Sequence, residues 1–254
     1  MRILILTQDD PFYLGKNIDY LLNKMPSYAK VVSTVVFDVS PFGKPESFID
    51  KLMKTYNIFG LGFFINYGLK YLASKLQPKW QVKNVLAKFN IPFLEIDGNI
   101  NSKGNLLKLN EFKPDLLISI AGNQIFKSAL IGLAPLGCIN LHTALLPKYR
   151  GLMPSFWVLK NNEKETGVSV FFVDEGIDSG PILVQKRITI GTMTQSQLIA
   201  HSKKLGMDAI LESIEKIHTG KYELIPNPDA EKTYFSFPTA ADVAAFKKSG
   251  KRFY

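Results

Sequence analysis

Short runs that are apolar at almost every position constrain this chain more than any other feature. Residues 2–7 read Arg-Ile-Leu-Ile-Leu-Thr, residues 31–37 are rich in β-branched side chains, and residues 116–121 are apolar but for Ser119. A strand with one wet face alternates apolar and polar residues, whereas a strand covered by helices on both sides does not. Between the first two runs, Ile18, Leu21 and Leu22 recur at helical spacing. This β-α-β opening predicts a parallel sheet with right-handed crossovers. Further strands are expected at 139–141, 168–173 and 181–190, giving an α/β, doubly wound, Rossmann-like domain with a mostly parallel sheet.

Two segments fall outside that alternation. Residues 41–82 form an apolar and aromatic insertion, with residues 58–69 flanked by Lys54, Lys70 and Lys75. Its Gly60-Leu-Gly62 follows no strand and is not a dinucleotide fingerprint. A helix on the sheet, a homodimer contact and a peripheral membrane contact all stay open for it. Near the C-terminus, Thr194-x-x-Gln197 is a capping box that starts a helix running towards His218, and Gly220 suits its stop. Thr239 opens a last short helix. Residues 1–193 are read as a catalytic core and 194–254 as a helical extension with a basic tail, packed on it.

Composition excludes several classes. In 254 residues there is one cysteine, Cys138, so neither a disulfide framework nor a multi-cysteine metal site is available. Met1 runs into an apolar stretch too short for a signal peptide, and no stretch is long enough to span a bilayer. A cytoplasmic, soluble protein is expected. The net charge of +9 is spread over lysines without a dense basic block, the nearest being Lys247, Lys248, Lys251 and Arg252. Such a distribution reads as a solvated surface.

The chemistry is concentrated in one stretch. Asn140 and His142 lie two apart at the end of a predicted strand, so both point to one face, where open α/β sheets bind ligands. An amide and an imidazole there can donate to an oxygen that gains charge in a transition state. Pro147 and Gly151 shape the following loop, and Arg150 offers a fork for phosphate or carboxylate. Downstream, residues 174–180 read Asp-Glu-Gly-Ile-Asp-Ser-Gly, and a carboxylate from this loop beside His142 would orient and charge it. With three histidines in the chain, two of them (His201 and His218) in the C-terminal helix, no metal site is expected.

Asn140-x-His142-x-x-Leu145-Leu146-Pro147-x-x-Arg150-Gly151, followed by Asp174 to Gly180, resembles the 10-formyltetrahydrofolate-dependent formyltransferase superfamily. The resemblance is clearest over residues 114–190. It implies that Asn140, His142 and Asp178 are catalytic. It also implies that Gln124, Ile125 and Phe126, with Asp174, Glu175 and Gly176, form the loops that hold 10-formyltetrahydrofolate. One departure is visible: Ala144 stands where the family usually has serine.

The acceptor is read from weaker signals. Gln8, Asp9 and Asp10 follow the first strand without a glycine-rich phosphate cradle, so carboxylates there are expected to meet an amine or sugar hydroxyls. With Arg150 as an anion contact, the preferred acceptor is an amino sugar carried on a nucleotide. The short stretch after Ile190 is expected to leave little room for the tRNA-holding domain of methionyl-tRNA formyltransferases. Formylation of methionyl-tRNA or of a glycinamide ribonucleotide-like amine, deformylation of the cofactor by water, and a non-catalytic folate-binding regulator remain alternatives.

Overall fold

The computed structural model describes residues 1–39, 47–96 and 98–254. Residues 41–46 of the predicted insertion lie outside the described residues. In chain order the elements are β1 (Arg2–Gln8), α1 (Leu14–Asn23), β2 (Lys30–Phe37), α2 (Phe48–Phe59), α3 (Leu61–Lys75), α4 (Val82–Lys88), β3 (Phe93–Leu94), α5 (Lys103–Asn110) and β4 (Leu116–Ile120). They continue as α6 (Ser128–Ile131), β5 (Cys138–His142), β6 (Arg150–Gly151), α7 (Pro154–Lys160), β7 (Glu165–Phe172), β8 (Ile182–Thr189), α8 (Gln195–Thr219), β9 (Tyr234–Phe235) and α9 (Ala240–Lys248).

Seven strands form the main sheet in the order β3-β2-β1-β4-β5-β7-β8. The pairings from β3 through to β5 are parallel, and β5–β7 and β7–β8 are antiparallel. The apolar runs are central strands: Ile3 to Leu6 and Leu116 to Ile118 are fully buried, and their side chains divide between the two faces of the sheet. On one face Ile3 and Ile5 meet α1, α4 and α8; on the other Leu4 and Leu6 meet Leu109 and Leu130 from α5 and α6. The sequence pattern predicts the last two strands but not their direction. Their reversal places the acidic segment after Phe172 in a hairpin connection, since β7 leads directly into β8.

Residues beyond 193 share this core. Thr194 and Gln197 make the predicted capping box, and Met207, Ala209, Ile210 and Ile214 of α8 are buried against the sheet. Gly220 ends α8 in the left-handed conformation at φ 66°. The chain then returns across the molecule, pairing β9 with β6. Thr239 and Asp242 cap α9 reciprocally, and α9 buries Phe246 against Phe156 of α7, with ring centroids 4.9 Å apart, and against Phe253 at 4.7 Å. This aromatic cluster anchors the C-terminal segment. Phe246→Ala is expected to cost about 3–5 kcal/mol of unfolding free energy, the range for a fully buried phenylalanine, read by urea denaturation.

Candidate active site

A cleft of about 440 Å³ opens where β1, β4 and β5 end, lined by Gln8, Ser119, Gly122, Asn140 and His142. Its other wall comes from Gly151 to Pro154 and from Asp174, Gly176, Ile177 and Asp178. Strand β5 puts Asn140 and His142 on one side of the sheet, as alternation requires. The Asn140 carboxamide is half-buried in this lining and makes no hydrogen bond to the described residues, which leaves its N–H groups open to a ligand.

His142 is held from two sides. Its Nε2 lies 2.7 Å from the Tyr149 carbonyl oxygen; a carbonyl only accepts, so Nε2 carries a proton and donates. Its Nδ1 faces Asp178 Oδ2 at 3.6 Å, beyond a hydrogen bond but well within ion-pair range. The ring and the carboxylate are 8% and 14% exposed, so water screens their attraction little. Nδ1 is therefore the ring nitrogen that can serve the cleft, with Asp178 behind it.

The surrounding loops fix these two groups. Asp178 sits at φ 49° and its Oδ2 accepts from the Gly151 N–H at 2.8 Å. Gly151 itself has φ +94°, and a Cβ there would stand 2.3 Å from the Phe235 carbonyl oxygen, so no other residue fits without displacing the chain. Tyr149, whose carbonyl aims His142, is anchored through its N–H to Thr233 and through its hydroxyl to Glu163 at 2.6 Å. Burial, together with that bond to Glu163, pushes the phenol up to about 12, so it stays a neutral donor.

Several expected site residues stand elsewhere. Arg150 does not reach the cleft: its guanidinium is 3% exposed, pairs with Asp229 at 2.7 Å and donates to Asn227 at 2.9 Å. The expectation of a free anion fork thus gives way to a buried clamp on the C-terminal segment. Of the first loop only Gln8 lines the cleft; Asp10 accepts from the N–H groups of Phe12 and Tyr13 at the start of α1, and Asp9 has its backbone N–H on Phe37. Gln124, Ile125 and Phe126 all line the cleft as expected; Gln124 bonds Ile100 and Gly98 with its side chain, Ile125 is exposed, and Phe126 is largely buried against the core. Asp174 and Gly176 line the cleft, whereas Glu175 accepts from the Ser128 hydroxyl. Ala144 is fully buried; the loop it occupies is tied by Ser169, which donates to its carbonyl oxygen at 2.7 Å and accepts from Leu146 N–H at 3.1 Å.

Two cleft residues carry no sequence signal. Lys203, from α8, lies 3.9 Å from Asp10, a contact that only the packing of that helix reveals. Asn123 donates to the Asp38 carbonyl oxygen, while its Oδ1 is buried with no partner.

With this geometry in place, comparison with known proteins is decisive. The pattern of the formyl transferase family matches residues 78–214. The chain belongs to that family. The match extends to a methionyl-tRNA formyltransferase from Kosmotoga olearia, 36% identical over 201 residues, covering 79% of this chain and 64% of that protein. Another, from Methylacidiphilum infernorum, is 38% identical over 54% of this chain and 43% of its own length. The chain therefore spans less than two thirds of the length of those curated relatives. Among solved structures, a sugar N-formyltransferase from a Shewanella species superposes with a TM-score of 0.59 at 20% identity, covering 93% of this chain and 77% of that one. A phosphoribosylglycinamide formyltransferase from Anaplasma phagocytophilum gives 0.63 at 15% identity, covering 92% and 98%. At those identities the likeness is one of fold.

The geometry also fixes the state of Cys138, the residue beside this constellation. It is 1% exposed, and burial pushes its thiol up to about 12. It is expected to resist an aromatic disulfide reagent at pH 8 in the folded protein and to react fully once the chain is unfolded in guanidinium, read by absorbance.

Proposed function

We propose that this chain transfers a formyl group from 10-formyltetrahydrofolate to a primary amine. The observation that carries the reading is the convergence of Asn140, His142 and Asp178 at the cleft of a formyl transferase family member. The lining supports the donor: apolar Ile120, Phe171, Val173 and Met207 would pack on a flat heterocycle, and the Asp174 carboxylate would accept from its N–H edge. Gly122, Gln124, Ile125 and Gly176 would complete its contacts. When bound, 10-formyltetrahydrofolate supplies an activated one-carbon unit.

The chain's own residues supply the rest. The Asn140 amide and the His142 Nδ1–H donate to an oxygen that becomes negative as the amine adds to its carbon. Asp178, 3.6 Å from Nδ1, orients the ring and is the nearest carboxylate to accept the proton shed by the amine, which would pass to the donor nitrogen as its bond to the formyl carbon breaks and tetrahydrofolate leaves. Gly151 keeps that carboxylate in place. No covalent attachment to the protein is called for, which leaves the buried Cys138 as a packing residue.

For the acceptor, the reading favoured is a nucleotide-linked amino sugar. A structural neighbour from Helicobacter canadensis, whose fold overlaps 92% of this chain, is described with folinic acid and dTDP-3-aminofucose. The curated relatives named methionyl-tRNA formyltransferase favour the second reading, an aminoacyl-tRNA.

The test is formyl transfer from 10-formyltetrahydrofolate to a panel of nucleotide-linked amino sugars, methionyl-tRNA and glycinamide ribonucleotide, with a water-only control, followed by mass spectrometry. Formylation of a sugar is expected, and Asn140→Ala or His142→Ala is expected to lower kcat about 100- to 1,000-fold while leaving folate binding in place. Transfer to tRNA alone would replace the acceptor and keep the chemistry. Turnover with water alone would make the protein a deformylase. Folate binding with no turnover in any arm would leave only a binding role.

A further inference from the structure

The helical pair before the site leaves one face unexplained. On α3, Leu61, Ile65, Leu69, Leu72 and the capping Leu76 are all exposed, three of them by 63%, 62% and 85% at Leu69, Leu72 and Leu76. At 3.6 residues per turn these positions fall within about 80° of arc, a continuous aliphatic stripe along the helix. Ile49, Met53 and Tyr56 form a second exposed stripe on α2, at the same helical spacing. The opposite side of α3 is already occupied: Phe63 stacks on Phe59 at 4.4 Å, and Tyr67 meets Phe12 edge-on at 4.9 Å. The stripe is therefore the outward face of a helix whose inward face is already packed.

Charge identifies what would cover it. Between Asp50 and Glu95 the sequence carries seven lysines and no aspartate or glutamate. Lys83 and Lys88 pair with Glu95 and Asp19, and Lys70, on the other side of α3, stands over Tyr254; Lys75 and Lys79 stand over Tyr71 and Trp80 and are not ion-paired with a carboxylate among the described residues. A two-fold contact between copies sets the same patch against itself and would bring lysine against lysine. Nucleic acid would satisfy the lysines but leave the aliphatic stripe without an apolar partner. A bilayer with anionic headgroups satisfies both, with leucines in the acyl boundary and ammonium groups among the phosphates. No described helix is long and apolar enough to cross a membrane, so α3 would lie along the surface.

We propose that the exposed face of α3, extended by that of α2, docks on an anionic lipid surface. Through the Tyr67–Phe12 contact, docking there would hold the β1–α1 loop and the cleft beside the membrane. The proposal does not depend on the reaction catalysed.

The test is co-sedimentation with phosphatidylcholine vesicles and with vesicles containing about one quarter phosphatidylglycerol, at low and high salt. The expected result is at least tenfold tighter partition to the anionic vesicles, weakened by salt. Leu69→Gln with Leu72→Gln is expected to lower it at least tenfold, and Lys75→Glu with Lys79→Glu at least about 25-fold, near fivefold per lysine before reversal is counted. All four side chains are exposed, and unchanged circular dichroism would show that the fold is kept. Equal partition to both vesicles, or indifference to the leucine pair, would overturn the proposal. So would a dimer in analytical ultracentrifugation that the leucine pair dissolves, or a tRNA complex that the lysine pair abolishes with no vesicle binding.

Discussion

The hydrogen bond from the Gly151 N–H to the Asp178 carboxylate, at 2.8 Å, is the contact on which the cleft depends. It joins Gly151 of β6 to the connection between β7 and β8. Without it Asp178 would lose its place beside His142 and the imidazole would lose its charge partner. The contact is available because Gly151 adopts a left-handed conformation that packs its Cα against the Phe235 carbonyl oxygen. A hydrogen bond to an ionised carboxylate is worth more than a neutral one, and here it also selects a conformation.

Behind that contact stands the returning C-terminal segment. Strand β9 pairs with β6, Asn227 donates to the carbonyl oxygens of Asp178 and Gly180, and Arg150 is clamped between Asn227 and Asp229. Thr233 accepts from the Tyr149 N–H, which sets the carbonyl that aims His142. Residues far along the chain from the catalytic candidates thus hold both neighbours of the imidazole. The aromatic cluster around Phe246 fastens this segment to α7, so packing energy generated at a distance supports the geometry of the cleft.

Much of this was legible in the sequence, for identifiable reasons. The apolar runs around Ile5 and Ile118 announce doubly covered strands, and the capping boxes at Thr194 and Thr239 announce the starts of α8 and α9. Asn140 and His142 could be placed on one face because a strand alternates. Arg150 was misread because a guanidinium beside a candidate site looks like a ligand group, and its true partners lie nearly eighty residues downstream. Lys203 was invisible because a lysine in a long helix reads as solvated until the helix is docked. The reversal of β7 had no sequence mark, since a strand buried on both faces reads alike in either direction.

In the proposed reaction Asn140, His142 and Asp178 act as one unit, with Asp178 working through the imidazole. A double-mutant cycle on formyl transfer tests it, using His142→Ala, Asp178→Asn and the pair; asparagine retains an oxygen that can accept from Gly151. If the carboxylate acts through His142, the pair should be no more than about threefold slower than His142→Ala alone. Losses that multiply would show the two residues acting on separate steps, and would contradict the account.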